Sequence, residues 1–355
     1  MRIGLAFAAI FALTIFTIAG TVRPSVEPQS SYNGLGNGLV AQATHAGDRA
    51  KFEQRETVAT GLGPMFNGQS CAECHQSPVT GGNSNKSVLR VGHIDPATHA
   101  FVEPPGGSLM HEHAIDPAID VRVPYSENIR SRRMALSLLG DGYVEAIDDA
   151  TIIAIAKSQR KATGGRIAGQ VAYAPVLEAA GATRVGRFGW KAQHASLLSF
   201  SADSYFNEEG ITNRFFPTEN TALGKSVAEY DTVPDPEDER RGYHQGIASN
   251  DHNYVSYVDV FTRFIRATKA PPRDSRLAAT ADAQAGSRTF EKIGCSICHV
   301  STLRTAAPGT MINGGQFQVP EALGDKVIHP YSDFLHQARA CTQSPKRSGA
   351  DLVRR

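Results

Sequence analysis

Apolar residues recur at helical spacing over one long stretch of this chain, residues 250–268. The apolar positions of this stretch are separated by four, three and four residues: Tyr254, Val258, Phe261 and Ile265. This spacing places the four side chains on one face of a helix, so it predicts an amphipathic α-helix. Because prolines lack an amide donor and clash with the preceding turn, we expect Pro271 and Pro272 to end the helix and to mark a domain boundary.

Three further helices are predicted from shorter patterns. The first covers residues 43–55, and the third covers residues 279–292. The second covers residues 150–156, where Asp148 or Asp149 precedes the apolar run and can cap the free amides of its first turn. The chain is therefore expected to contain several separate helices rather than one continuous helical array.

The first residues of the chain have the pattern of an export signal. One arginine precedes residues 3–19, which are mostly apolar, and the segment 17–19 is typical of a small-residue cleavage site. We predict a signal peptide over residues 1–22 and a linker over residues 23–42. An uncleaved membrane anchor is the alternative, because the apolar run is long enough for it. Either reading places the protein in the periplasm, or facing the periplasm from a membrane anchor.

Composition argues against some partners. The 36 Lys and Arg residues nearly balance the 35 Asp and Glu residues, for a formal net charge of +1, and no basic block occurs. We therefore predict no nucleic-acid partner. The 41% of hydrophobic residues over 355 positions can supply more than one core. Residues 79–123 are rich in Gly, Pro, His and Asn, which predicts long loops and short strands.

Four of the five cysteines occur in two runs of the form C-x-x-C-H, at residues 71–75 and 295–299. This is the attachment sequence of c-type haem. Two thiols at this spacing can bind the two vinyl groups of one porphyrin, and the adjacent imidazole can ligate the iron. We therefore predict two covalent haems. Their attachment residues are Cys71 and Cys74, and Cys295 and Cys298, and their proximal ligands are His75 and His299.

One structural alternative to haem involves zinc. The two cysteine pairs could meet in one tetrahedral zinc site, although this arrangement leaves both adjacent histidines unexplained. A phenylalanine also stands five residues before each motif, Phe66 in the first and Phe290 in the second. Each ring could cover a haem edge or belong to an ordinary core, and the two segments are predicted to share one local design.

Several blocks of sequence, taken in order, resemble one family. The blocks are residues 61–67 (GLGPMFN), 186–192 (GRFGWKA), 210–212 (GIT), 261–271, 294–299 and 329–335 (HPYSDFL). They resemble the di-haem oxidoreductases, a peroxidase-like "thiol oxidoreductase" family related to the bacterial di-haem cytochrome c peroxidases. The resemblance covers about residues 33–335.

This resemblance implies a mainly α fold with two cytochrome c-like haem domains and long loops. The first domain would cover residues 43–270 with insertions, and the second, incomplete, would cover residues 275–335. The implied activity is that of a di-haem oxidoreductase, in which one haem accepts electrons from a small redox protein and the other reduces hydrogen peroxide. Calcium between the domains is also implied, without a ligand set that can be assigned.

Trp190 is the only tryptophan of the chain. In related di-haem peroxidases an aromatic ring lies between the haems and assists electron passage, so the resemblance makes Trp190 a candidate inter-haem relay. A buried structural indole is the alternative. The neighbouring Arg187 and Lys191 could pair with haem propionates or could be surface charges.

The resemblance stops after Leu335. Residues 336–355 are basic, lack apolar spacing and contain Cys341, the cysteine that lies outside both motifs. A cytochrome c domain normally closes its haem pocket with a later helix and a distal ligand, which this segment does not predict. We expect a truncated or frameshifted C-terminus, a disordered atypical tail, and an open distal face at the second haem.

The ligand opposite each proximal histidine separates two functions. An iron with two strong protein ligands mainly passes electrons, whereas an open position can bind peroxide. The candidate ligands are Met65, Met110, Met134, Met311, His93, His111, His113, His244 and His252. The pair of histidines around Glu112 also suggests a metal or proton-handling cluster. The residues therefore leave open a peroxidase-like enzyme and a non-catalytic di-haem electron-transfer cytochrome.

Overall fold

A computed structural model describes residues 26–232 and 256–337 of the chain. The α-helices of these residues are α1 (Gln42–Glu53), α2 (Asp141–Glu145), α3 (Asp149–Ala162), α4 (Leu197–Glu208), α5 (Tyr257–Ala267), α6 (Ser275–Ala278) and α7 (Ala281–Lys292). The strands are β1 (Met65–Phe66), β2 (Ser87–Ile94), β3 (Phe101–Val102), β4 (Leu109–Met110), β5 (His113–Ala114), β6 (Ile129–Met134), β7 (Tyr173–Pro175), β8 (Thr183–Val185), β9 (Leu303–Arg304), β10 (Met311–Ile312), β11 (Phe317–Gln318) and β12 (Val327–Ile328).

Helices account for 29% and strands for 18% of the structure, and the strands form several small sheets. The prediction of a mainly α fold is therefore wrong, and the chain is mixed α and β. The strands were hidden in the sequence because most contain two or three residues, too few to show an alternating pattern. Three of the four strands of the largest sheet, β2, β3 and β4, do fall in the Gly- and Pro-rich stretch for which loops and short strands were predicted, whereas β6 lies beyond it.

The predicted helices are present where the structure describes them. In α1 and α7 the observed bounds lie within two residues of the predicted ones. Helix α3 is capped by Asp148, whose carboxylate accepts a hydrogen bond from the Ala150 amide at 2.9 Å, and it extends beyond the predicted end. Helix α5 ends at Ala267, before the prolines, and residues 250–255 of its predicted span lie outside the described residues.

The sheet around β2 is the largest one. Strand β6 pairs antiparallel with β2 along six residues, from Ser87 opposite Met134 to Gly92 opposite Ile129. The short strands β3 and β4 also pair with β2. Because alternate residues of a strand point to the same face, Arg130, Arg132 and Met134 lie on one face of β6.

Two hydrophobic cores form around different elements. The first joins α1, α4 and α5 through buried residues that include Phe52, Leu197 and Phe261. The second joins α2, α3 and β8 to the segment 303–328, so it uses residues on both sides of the predicted domain boundary at residue 270. The two predicted haem regions therefore share one of their cores.

Glu145 lies where these two cores meet and is fully buried. Its carboxylate accepts two hydrogen bonds from the Arg266 guanidinium, at 2.6 and 2.9 Å. It also accepts one from the Leu197 amide at 2.8 Å and one from the Asn313 side chain at 2.9 Å. One carboxylate thus joins α2, α4 and α5 to the region that follows the second motif. These contacts, led by the charge of Arg266, hold the pKa of Glu145 below its ordinary value against the effect of burial.

The segment 26–38, which we call the N-terminal strap, runs across both regions. Val26 forms a parallel bridge with Lys326, and Ser30 forms one with Ala270. Farther along, the backbone N–H of Asn37 donates a hydrogen bond to the Ala267 carbonyl, at the end of α5, at 2.8 Å. The predicted linker is thus docked along these residues by backbone hydrogen bonds.

Over the described ranges, no helix combines the length and apolar character needed to cross a membrane. The predicted signal or anchor, residues 1–22, lies outside those ranges. The same is true of His244, His252 and residues 338–355, which include Cys341.

Candidate functional site

Each C-x-x-C-H run folds into the same short turn. The turns are 3-10 helices over Cys71–Glu73 and Cys295–Ile297. In the first, the Cys74 and His75 amides donate to the Cys71 carbonyl at 3.2 and 3.1 Å. In the second, the corresponding amides of Cys298 and His299 donate to the Cys295 carbonyl at 3.2 and 2.9 Å. This turn holds the two thiols and the imidazole of each motif in one compact unit.

The two motif histidines also have the same side-chain partner. Nδ1 of His75 lies 3.0 Å from the Gly82 carbonyl, and Nδ1 of His299 lies 3.0 Å from the Tyr331 carbonyl. A carbonyl can only accept, so each Nδ1 carries the proton and each Nε2 keeps its lone pair. A histidine that ligates a metal through Nε2 usually has this second bond. Both histidines therefore fit the role of proximal haem ligand.

A phenyl ring contacts the imidazole in each motif. The Phe52 ring lies 6.4 Å from that of His75 at 59°, and the Phe290 ring lies 6.2 Å from that of His299 at 55°. Both phenylalanines lie in the last turn of the helix that leads into the motif. The structural counterpart of Phe290 is therefore Phe52, and the predicted pairing with Phe66 does not hold. Phe66 lies in a strand and packs instead against His113, at 5.3 Å between ring centroids.

The first motif is anchored to the end of α4 by buried acidic residues. The Cys71 thiol donates to the Glu209 carboxylate at 3.1 Å, and Glu209 is buried. Burial raises the pKa of Glu209 to about 8, while the bond from Cys71 opposes the shift. Burial also raises the pKa of Cys71 well above its ordinary value, and it raises that of Cys74 to about 11. Both thiols are therefore protonated at neutral pH.

A close backbone approach fixes this arrangement. The Gly63 amide donates to the Glu209 carbonyl at 3.0 Å. A Cβ at Gly63 would lie 1.8 Å from the Gly210 carbonyl oxygen, so any larger residue would force the two segments apart. Gly63 of the GLGPMFN block therefore has a structural role, because it lets the chain before the motif lie against residues 209–210.

Glu73, between the two cysteines of the first motif, binds two cations. Its carboxylate oxygens lie 2.6 Å from the Arg55 guanidinium and 2.6 Å from the Lys86 ammonium. These three side chains line an open groove of about 520 Å³, which also contains Ala72 and His113. This volume lies in the range of small-molecule and cofactor sites.

The first histidine ring is largely enclosed. Burial lowers the pKa of His75, and backbone hydrogen bonds to Gly82 and Leu136 act against this shift. The imidazole is therefore neutral at pH 7, which is the form that binds a metal.

The second motif is held by a different polar network. The Gln159 side chain donates to the Ile297 carbonyl at 2.7 Å and to the buried Asp333 carboxylate at 2.6 Å. Burial, followed by the negative charge of Asp333, raises the pKa of Cys298. His299 itself is exposed. The HPYSDFL block therefore positions this motif through Asp333 and the Tyr331 carbonyl.

The structure does not bring the four motif cysteines together. All four are free of disulfide bonds. The described residues contain no group of three or more His, Cys, Asp and Glu side chains arranged to hold a metal ion. The zinc alternative therefore has no site in this part of the chain, and no calcium ligand set is found there either.

The candidate distal methionines divide into two pairs. Met65 and Met110 are buried in the core, whereas Met134 and Met311 are 50% and 55% exposed. None of the four has a described contact with either motif histidine.

The candidate distal histidines have other partners. His93 pairs with Glu127 at 3.0 Å. His111 is buried with Nε2 3.1 Å from the Asn207 carbonyl, and burial lowers its pKa to about 4. Because His111 bonds to Asn207 and His113 packs on Phe66, the suggested cluster around Glu112 does not form.

Trp190 lies at the surface with 52% of its area exposed. Its indole N–H donates to the Met134 carbonyl at 2.9 Å. Arg187, in contrast, is buried, where it binds Asp149 and the Ile147 carbonyl, so it has a structural role. Lys191 is exposed, and its carbonyl is bonded to the His336 side chain.

Sequence reasoning missed two residues of the first motif's surroundings. Phe52 could have been found by aligning the ends of the two leading helices instead of counting back from the cysteines. Glu209 had no such signal, because it lies 138 residues from Cys71 and reaches it only through the packing of α4.

A family model described as "Di-haem oxidoreductase, putative peroxidase" matches residues 118–344. The matched region contains Trp190 and the second motif, and it begins after the first motif. It also includes the first residues of the segment predicted to be atypical. No curated protein sequence and no solved structure matches the chain.

Proposed function

Because this chain belongs to the di-haem oxidoreductase family, we propose that it carries two covalent c-type haems and reduces hydrogen peroxide with electrons from a small redox protein. We further propose that it works in the periplasm, after export directed by residues 1–22. The family supports an oxidoreductase with two haems.

One observation carries the proposal: the same ligand geometry occurs twice. In both motifs the histidine is fixed through Nδ1 by a backbone carbonyl, and a phenyl ring packs against the imidazole. A single example could be an accident of a C-x-x-C-H turn. Two examples, built from elements with unrelated surroundings, support two similar haem sites.

The cysteines and histidines of the two motifs have separate roles. Cys71 and Cys74 would form thioethers with one haem, and Cys295 and Cys298 with the other. His75 and His299 would ligate the irons through Nε2. Each haem, when bound, supplies an iron that takes up or releases one electron. Two electrons and two protons convert one hydrogen peroxide molecule into two water molecules, so two one-electron donor molecules are consumed per turnover.

Trp190 is the residue we propose as electron relay between the two haems. Its indole is bonded to the carbonyl of Met134, two residues from Leu136, whose backbone lies close to the His75 ring. The next residue, Lys191, is bonded to His336, which follows the block that holds His299. The indole thus stands between segments that contact the two proposed ligands.

The test is expression of the full chain with a cytochrome c maturation system, followed by two measurements. A haem-stained denaturing gel and a pyridine haemochrome assay should give two covalent haems per chain. The reduced protein, supplied with ascorbate and a small redox mediator, should consume hydrogen peroxide. Absence of covalent haem would refute the cofactor assignment. Six-coordinate, low-spin spectra in every redox state without turnover would instead establish the electron-transfer cytochrome.

A further inference from the structure

Three apolar side chains that are about half exposed gather at one end of β6. Met134 and Leu136 are each 50% exposed, and Trp190 is 52% exposed. The bond from the Trp190 indole N–H to the Met134 carbonyl, at 2.9 Å, fixes the ring against this strand end. We call these three residues the Trp190 patch. Exposed apolar side chains are ordinary when scattered, but a group that includes an anchored tryptophan is typical of an interaction surface.

The Trp190 patch lies close to the first proposed haem ligand and is joined to the segment that follows the partner of the second. The backbone of Leu136 lies close to the ring of His75. On the other side, the carbonyl of Lys191 bonds to His336, close in sequence to Tyr331, which holds His299. A partner seated on the patch would therefore stand near the first proposed redox centre rather than at a remote surface.

Cationic side chains border the patch. Arg130 and Arg132 precede Met134 on the same face of β6, and both are exposed. The side chain of Arg132 is 64% exposed, with one acidic neighbour, Glu112, at 3.5 Å. Lys191, directly after Trp190, is also exposed. The surface therefore has an apolar centre and a positive rim.

We propose that the Trp190 patch is the docking surface for a small electron-transfer protein whose own contact surface is apolar at its centre and acidic at its rim. This inference rests on the proposed redox function and names the partner's chemistry. Apolar centres supply most of the binding energy of such contacts, and complementary charges steer the encounter. The position of the patch near the first proposed haem ligand explains why the partner is an electron carrier.

A second copy of this chain is the alternative occupant. An isologous contact places the same patch of both copies together. The arginines of β6 would then face those of the other copy, and like charges across an interface cost binding energy. Charge therefore favours an acidic partner over self-association.

The experiment uses the haem-loaded full chain and two reduced mono-haem cytochromes c as probes, one with an acidic surface and one with a basic surface. Stopped-flow absorbance gives the rate of electron transfer from each probe at low and high salt. The rate of reduction by ascorbate and a small mediator is measured in parallel, and each probe rate is divided by it. Peroxide consumption is recorded separately.

We expect the acidic probe to react faster than the basic one, with a rate that falls as salt rises. The double substitution Arg130→Glu and Arg132→Glu should lower the normalised rate with the acidic probe at least tenfold at low salt, within the range of electrostatic steering of roughly 10 to 1,000-fold. The matched control, Lys161→Glu with Lys225→Glu, makes the same change in net charge at exposed positions away from β6. It should alter the rate less than about twofold, since distant surface charges are screened.

Three other outcomes would contradict the docking surface. Equal slowing by both double variants would show an effect of net charge alone, and an unchanged rate in the β6 variant would show docking elsewhere. A dimeric holoprotein that becomes monomeric in the β6 variant would assign the patch to a second copy. If the acidic probe reduces the protein as expected but peroxide is not consumed, the docking surface stands and only the peroxidase proposal fails.

Discussion

The first motif is surrounded by three packed helices, whereas the second follows a helix without a buried residue. Around the first, Phe52 of α1 packs on Phe261 and Phe264 of α5, with ring centroids 6.2 and 4.7 Å apart. In front of the second, α7 contains no buried side chain, and Ile293 just after it is 68% exposed. The two motif turns nevertheless have the same hydrogen bonds and the same contact between phenylalanine and histidine.

The comparison shows that the motif turn is encoded locally, whereas the packing around it depends on the rest of the chain. The turn arises from residues close in sequence, and one backbone carbonyl fixes each imidazole. The enclosure of His75 depends on helices that lie far apart along the chain. A haem can therefore be attached at both motifs while only the first sits in a helical core.

Removal of each cysteine pair is the strongest test of this similarity. Cys71→Ala with Cys74→Ala should remove one of the two covalent haems, and Cys295→Ala with Cys298→Ala should remove the other, because no other described cysteine can replace them. Haem staining per chain should fall by about half in each variant. A variant that keeps its full haem stain, or loses all of it, would contradict two equivalent attachment turns.

The surroundings of the two rings should differ in stability. Phe52→Ala removes a buried phenyl ring and leaves a cavity, so we expect it to lower the free energy of unfolding by about 3–5 kcal/mol. Phe290→Ala, at a half-buried position, should cost less than about 1.5 kcal/mol. Urea denaturation of the two variants gives both values. Equal costs would show that α7 is as well packed as α1.

Glu145 tests whether the two regions are stabilised together. Its pKa is lowered in the folded protein, so its contribution is present above the unfolded pKa of about 4.3 and is lost as pH falls through the folded value. Glu145→Gln leaves Arg266 buried without its carboxylate and should cost about 3 kcal/mol at pH 7. It should also flatten the loss of stability below pH 4.3.

The control for this measurement is Glu229→Gln, at an exposed position. It should leave both the stability at pH 7 and its acid dependence nearly unchanged. Denaturant midpoints followed from pH 7 to pH 3 provide the comparison. An acid profile of Glu145→Gln that matches the unsubstituted protein would contradict the role of this carboxylate.

The smallest expected effect concerns a glycine in each leading helix. A Cβ at Gly47 in α1 or at Gly286 in α7 would meet no atom within 4 Å. Alanine should therefore stabilise each helix by about 0.5–1 kcal/mol through its higher helix propensity. Thermal unfolding should show a small rise in Tm for both variants. A lower Tm for Gly286→Ala alone would reveal a further element packed on α7.

These contrasts also show what the sequence could predict. The haem turns and four helix spans depend on local spacing, so they were predicted from residues 71–75, 295–299 and the apolar periods. Helix α4 was missed because its sequence, LLSFSADSYFNE, mixes apolar and polar residues without one clear stripe. The predicted fold class, mainly α, was wrong because strands such as β9 and β12 have two residues each and exist only through pairing.

The surroundings of the sites were equally beyond the sequence. Glu209 reaches Cys71 because α4 packs near the first motif, and Gln159 reaches Ile297 because α3 packs near the second. No local sequence pattern predicts either contact. Phe66 misled for the same reason: its spacing matches that of Phe290, but its backbone is a strand instead of a helix end.

The N-terminal strap has a consequence for how the chain folds. Glu27 binds His329 at 3.0 Å, and the two residues are 302 positions apart in sequence. Val26 likewise can form its bridge with Lys326 only after Lys326 has been synthesised. A newly made chain therefore exposes its strap throughout the synthesis of both haem motifs, and contacts of such long sequence separation form slowly. The N-terminal strap, which is synthesised before either motif, is therefore among the last segments to form its native contacts.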